Sequence, residues 1–159
     1  MRIGLIEQRQ FASGSSGKSS QLIHGGLRYL KQFQFHLVRE GLRERARLLD
    51  LAPHLIEPLE FLMPLYGRPA RLYYGSGLWL YDALAGSRRI GRHRLLSREE
   101  VLRLEPALAA ERLAGGAVFY DARVHAARFV LANVFDAIRH GVMAVNYVRA
   151  ENRAREGEY

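Results

Sequence analysis

Apolar residues recur at intervals of three and four from Phe33 to Leu51. Phe35, Val38, Leu42, Ala46 and Leu49 fall on one stripe, and Arg39, Glu40, Arg43, Glu44 and Arg47 on the opposite face. That period predicts an amphipathic helix, with Glu44 and Arg47 spaced to pair and Pro53 closing it. The same period returns in Ala126–His140, where Ala127, Val130, Leu131, Val134 and Ile138 share a face and Gly141 stops the helix. Arg71–Leu84 reads as a third helix that packs through Tyr73, Trp79, Leu80 and Leu84 and ends at Gly86. Ser97-Arg98-Glu99-Glu100 has the form of a capping box, which predicts a short helix to Leu104 before Pro106. Between these lie short apolar runs that read as strands: Arg2–Ile6, expected to be buried; Leu59–Tyr66, expected at a sheet edge because of Pro58 and Pro64; Gly115–Asp121; and Val142–Arg149. Ser87–Arg94 reads as a basic loop, and Glu151–Tyr159 as a polar end with no closing element. Strands alternating with helices predict an α/β fold.

One stretch follows neither period. Phe11–Leu30 gathers Ser13, Gly14, Ser15, Ser16, Gly17, Ser19 and Ser20, then runs into His24-Gly25-Gly26-Leu27-Arg28-Tyr29. Glycine reaches backbone conformations that other residues avoid, and serine bonds to nearby backbone instead of to a regular ladder. Such a segment suits a close approach to phosphates or sugar hydroxyls through bare N–H groups and small hydroxyls. The bland alternative is a flexible linker. Leu22, Ile23, Leu27 and Leu30 favour the ligand loop, since a solvated linker would not carry them. Arg28, just after two glycines, offers a planar fork for an anionic oxygen group.

The run Glu7 to Leu30, E-x-x-x-F-A-S-G-S-S-x-x-S-S-x-L-I-H-G-G-L-R-Y-L, closely resembles the FAD-dependent glycerol-3-phosphate dehydrogenase family. The resemblance continues through His36–Glu40, Ala52–Leu55, Gly77–Asp82, Tyr120-Asp121-Ala122, Ala127-Arg128 and Leu131-Ala132-Asn133, and weakens after Tyr147. It implies a partial FAD-binding, doubly wound Rossmann-like domain with part of an inserted substrate domain. Residues 1–51 and 125–159 would belong to the first and residues 52–124 to the second. It implies oxidation of sn-glycerol 3-phosphate to dihydroxyacetone phosphate, with electrons passing through FAD to a quinone at the inner face of the cytoplasmic membrane. Glu7 would hold the adenosine ribose, and Ser13, Gly14, Ser15, Ser16 and Ser20 would line the FAD. His24, Gly25 and Gly26 would bring backbone to the flavin ring. Arg28, with Tyr29 beside it, would bind the substrate phosphate. No catalytic base is assigned, His24 included, and no metal site is expected. Gln21 departs from the family's usual Lys, and His125-Ala126 from an acidic pair that would cap the following helix. No G-x-G-x-x-G turn occurs in the sequence, so the chain reads as an internal piece of a longer enzyme, inactive alone.

Composition adjusts this picture little. A net charge of +8 raises anionic partners, but the basic residues are spread along the chain and almost all are arginine. An anionic membrane surface is therefore expected as a partner of the intact enzyme, and nucleic acid is not. No apolar run approaches the ~20 residues of a membrane-spanning helix. The absence of cysteine excludes disulfides and thiolate chemistry. Two other readings stay open: a different flavin oxidoreductase of the same superfamily, acting on amines or hydroxy acids, and a non-catalytic basic binding module. The H-G-G-L-R-Y-L string argues against the first, and a steep salt dependence without flavin would mark the second.

Overall fold

A computed structural model describes residues 3–151. Arg2 and the polar end 152–159 lie outside the described residues. Among the described residues, ten strands and α-helices follow the expected alternation: β1 (Gly4–Glu7), β2 (Leu22–Ile23), α1 (Phe35–Leu51), β3 (Ile56–Tyr66), α2 (Arg68–Ala85), β4 (Arg94–Leu96), α3 (Arg98–Leu104), β5 (Leu113–Val124), α4 (Ala126–Arg139) and β6 (Met143–Asn146). They form two compact units, Leu22–Arg123 and the remainder.

In the unit made of the residues up to Gln21 and from Val124 onward, β1 pairs in parallel with β6, Gly4 opposite Met143 and Glu7 opposite Asn146. Parallel pairing needs a crossover, and α4 supplies the helix that leads into β6. The expectation of a buried first strand is corrected here. Ile3, Leu5 and Ile6 are 51%, 39% and 49% exposed, because among the described residues their sheet has two strands and leaves these side chains largely uncovered. The α4 stripe is likewise only partly covered: Val134 is buried, while Ile138 is exposed. As the missing acidic pair implies, His125 before the helix offers no side-chain cap, and Gly141, just past its C-cap His140, has φ +88°.

The unit Leu22–Arg123 is built on β5. Its sheet runs in the order β2-β5-β3, with β4 also paired to β5. Leu22 and Ile23 face Arg123 and Ala122 in antiparallel register, and Arg94–Leu96 face Val118–Gly116. The proline-bearing strand β3 lies at the end of that order, the edge position its composition predicts. Helices α1 and α2 pack on each other through Val38, Leu42, Tyr81 and Ala85. Leu65, Leu78 and Ala117 join β3, α2 and β5, and Leu96, Val101, Leu113 and Val118 form a third cluster around α3. Each fully buried Leu or Val adds about 1.5–3 kcal/mol.

Three details differ from the sequence reading. Helix α1 starts at Phe35 because Phe33, at φ +55°, terminates a 3₁₀ turn over Leu27–Gln32. The basic loop closes one step into a strand, β4. On α2 the buried residues are Gly75, Leu78, Tyr81 and Ala85, so Tyr73 and Trp79 point outward. Within the unit Leu22–Arg123, α1 shares its core with α2.

Candidate functional site

The H-G-G-L-R-Y segment is held in place by contacts that only glycine permits. Gly25 and Gly26 are buried. A Cβ on Gly25 would collide with the Tyr81 hydroxyl and with the Leu42 side chain, and Gly41 on α1 lies against the Gly25 carbonyl. Gly26 adopts φ +75°, ψ +42°, the left-handed conformation, and a side chain there would run into the Tyr29 ring. The turn delivers the chain into the 3₁₀ turn at Leu27, with the Tyr29 N–H donating to the Gly26 carbonyl at 2.8 Å. His24 and Arg28 on either side are exposed. The Arg28 guanidinium donates to the Tyr29 hydroxyl at 3.1 Å and lies 5.0 Å from that ring's centre, which holds the cation's pKa above its ordinary value.

Behind the turn lies a polar cluster that the helical period of α1 gave no reason to expect. Arg45 falls on the buried side of α1 and is 1% exposed, and Asp121 on β5 is 3% exposed. One Asp121 oxygen, Oδ1, accepts from the Arg45 guanidinium at 2.6 Å, from the Tyr81 hydroxyl at 2.9 Å and from the Gly25 N–H at 3.0 Å. Arg45 Nη1 also donates to the Tyr120 carbonyl at 3.0 Å. Burial, then the neighbouring Asp121 charge, pushes the Tyr81 phenol far above its ordinary pKa, with the Arg45 charge opposing. Tyr81 therefore stays a hydrogen-bond donor at every ordinary pH. Arg45 and Asp121 are 76 positions apart. Tyr120-Asp121-Ala122 belongs to the family resemblance, and nothing in its spacing points to Arg45.

Arg28 lies at a cavity of about 570 Å³ within the same unit. Its walls are mostly apolar, including Leu27, Leu30, Phe35, Tyr74 and Trp79, and Arg28 and Lys31 are its cations. Lys31 donates to the Tyr74 hydroxyl at 3.2 Å, a bond that raises its pKa. An anion entering here meets two fixed positive charges, each backed by an aromatic ring.

In the other unit, Glu7 closes β1 and accepts from the Arg9 N–H at 2.9 Å. A carboxylate at the end of a parallel strand is where a ribose diol is commonly gripped. The serine loop forms a single 3₁₀ turn, Ser15–Lys18. Gly14, Ser15, Ser16 and Ser20 are exposed, Ser13 is half-buried, and the Gly17 position is filled by the Ala12 carbonyl. Small hydroxyls and uncovered backbone are the donor set that suits the polyol and phosphate parts of a dinucleotide.

The sequence profile of the DAO family, described as FAD dependent oxidoreductase, matches residues 1–159. Among curated relatives, a glycerol-3-phosphate dehydrogenase of Synechocystis is 44% identical over 147 residues, 91% of this chain and 27% of that protein. A glycerol-3-phosphate dehydrogenase of Mycobacterium leprae is 42% identical over 160 residues, 99% of this chain and 27% of its own length. An alpha-glycerophosphate oxidase of Streptococcus pyogenes is 42% identical over 154 residues, covering 94% and 25%. The chain thus spans about a quarter of the length of these relatives. Among solved structures, the glycerol-3-phosphate dehydrogenase of Bacillus halodurans complexed with FAD superposes with a TM-score of 0.68 at 26% identity, over 98% of this chain and 23% of that one. The L-proline dehydrogenase of P. horikoshii gives 0.69 at 17% identity over 98% and 40%, a likeness of fold. The match along the whole chain, carried on an α/β fold with a glycine-lined turn, makes this protein a member of the FAD-dependent oxidoreductase family.

Proposed function

We propose that this chain is part of an enzyme that oxidises sn-glycerol 3-phosphate to dihydroxyacetone phosphate with FAD. The carrying observation is the H-G-G-L-R-Y turn: two glycines that admit no side chain, followed by an exposed arginine at a cavity with a second cation. FAD, when bound, accepts the hydride from the substrate's secondary alcohol. The chain's own residues bind and orient. Glu7 holds ribose hydroxyls, and Ser13, Gly14, Ser15, Ser16 and Ser20 offer hydroxyls and N–H groups to the cofactor's polar parts. His24, Gly25 and Gly26 bring backbone close to the ring. Arg28 grips the substrate phosphate, with Tyr29 fixing the guanidinium by hydrogen bond and ring contact. On this reading the unit carrying β1 and β6 belongs to the cofactor domain. The unit Leu22–Arg123 supplies the flavin-side turn and leads into the substrate domain.

A quinone as electron acceptor, and an anionic membrane surface on the cytoplasmic side as the place of action, complete the proposal. They are supported by the resemblance and by the net charge of +8. No helix among the described residues is long and apolar enough to cross a membrane, so the contact proposed is interfacial.

Visible spectroscopy and turnover test the reading in two arms. The full-length protein carrying this segment is expected to show bound flavin and to reduce an artificial acceptor with sn-glycerol 3-phosphate. The 159 residues alone are expected to do neither, since they contain no G-x-G-x-x-G turn to meet the pyrophosphate. Flavin-loaded full-length protein that oxidises an amine or a hydroxy acid, and leaves glycerol 3-phosphate untouched, would overturn it.

A further inference from the structure

We propose that Asp121 is a positioning residue for the glycine turn: by accepting the Gly25 N–H it fixes the backbone from which Arg28 is presented. This rests on the reading of Arg28 as the phosphate-binding residue. The geometry points one way. Asp121 sits on β5, which pairs with β2 immediately before the turn, Ile23 opposite Ala122. The carboxylate is thus carried by the sheet and takes the backbone N–H of Gly25, two residues past the end of β2. Its own place is fixed from two other elements, by Arg45 of α1 and Tyr81 of α2. Side chains from two helices and the N–H of the turn therefore meet at one oxygen carried by β5. A carboxylate is costly to bury without such donors, and the Arg45–Asp121 pair could be replaced by apolar residues if packing were its only task. The bond to a backbone N–H beside two glycines is what an apolar replacement cannot make. Gly25 has no side chain of its own to hold it, so beside the close packing on Tyr81 and Leu42 this hydrogen bond is what fixes its backbone N–H.

The test uses the flavin-loaded full-length protein that carries this segment, with Asp121→Asn and Tyr81→Phe. Amide hydrogen exchange is read at Gly25 and, as the reference for general loosening, at Val38 and Leu42 of α1. Asp121→Asn is expected to speed exchange at Gly25 by about tenfold or more relative to α1, because the charged acceptor is lost. Tyr81→Phe keeps the ring and the Gly25 bond but removes one donor from the carboxylate, and a rise of about threefold is expected. It decides the matter if Asp121→Asn fails to fold. Exchange at Gly25 that stays unchanged, or that rises only in step with α1, overturns the inference. A second readout is kinetic. Asp121→Asn should raise KM for sn-glycerol 3-phosphate with kcat much less affected, and should add little when Arg28→Ala is already present. If KM does not move although Arg28→Ala raises it, Asp121 does not position Arg28 and the inference falls. If Arg28→Ala itself leaves KM unchanged, the phosphate reading of Arg28 has failed, and the exchange at Gly25 alone decides whether Asp121 holds the turn.

Discussion

Arg45 occupies a position where the helical period of α1 wants an apolar side chain, and it is buried because Asp121, Tyr81 and the Tyr120 carbonyl receive it. Its Nε has no partner among the described residues, so the burial is not fully satisfied. Removing the cation should nonetheless be expensive. Arg45→Met leaves Asp121 buried without its counter-ion and is expected to cost about 3–5 kcal/mol. Arg43→Met, on the exposed face of the same helix, should stay within about 0.5 kcal/mol. Equilibrium urea unfolding compares the two, and equal midpoints would show that the buried pair carries no stability. The same contrast shows what a sequence can and cannot disclose. His24-Gly25-Gly26-Leu27-Arg28 stands out in the chain because glycine pairs and a following arginine have local meaning. Arg45 does not stand out, since its partner is 76 residues away and its neighbours Arg43, Glu44 and Arg47 are all solvated. The exposed Glu44–Arg47 pair at 2.6 Å, by comparison, follows from spacing alone.

At the scale of elements, local chemistry was the more readable the more it was confined to a few residues. The capping box of α3 forms as written: the Ser97 hydroxyl accepts the Glu100 N–H at 3.2 Å and the Glu100 carboxylate accepts the Ser97 N–H at 2.6 Å. Those bonds hold the Glu100 carboxyl below the usual glutamate range, the Ser97 backbone first and its hydroxyl second. The sign follows from linkage. A carboxyl whose pKa is lower in the folded state stabilises fully above its unfolded value, about 4.3, and loses that contribution as pH falls through the lower folded value. Acidification from about pH 6 to about pH 3 is thus expected to weaken the start of α3 in the natural sequence. In Glu100→Gln, whose amide oxygen accepts without titrating, it should weaken less. Urea midpoints for both forms at the two pH values measure this, and identical acid losses would contradict it. What was less legible is which faces of α2, α4 and β1 meet another layer. Trp79 and Ile6 are exposed in this structure, at 67% and 49%, because burial depends on neighbours that a helical or strand period does not name.

At the scale of the molecule, the fold class was legible from the order of strands and helices, and the family from motifs that run along the whole chain. The break between the compact units at Leu22 was not, because it reflects α1 packing on α2 and not any change in composition. The charge of +8 belongs to this scale as well. The full-length protein should co-sediment with vesicles containing anionic lipid, and release with salt, since surface attraction fades over a Debye length of about 8 Å at physiological ionic strength. Binding to neutral vesicles that persists in high salt would count against an electrostatic contact. The central claim, that Arg28 grips the phosphate of a glycerol phosphate, is tested most directly by steady-state kinetics of the flavin-loaded full-length protein with and without Arg28→Ala. The account predicts that kcat/KM for sn-glycerol 3-phosphate drops by roughly a hundredfold, with Arg28→Lys recovering only part, while any turnover of glycerol, which has no phosphate, is unaffected. Equal kcat/KM for glycerol 3-phosphate in the natural and Arg28→Ala proteins would contradict it.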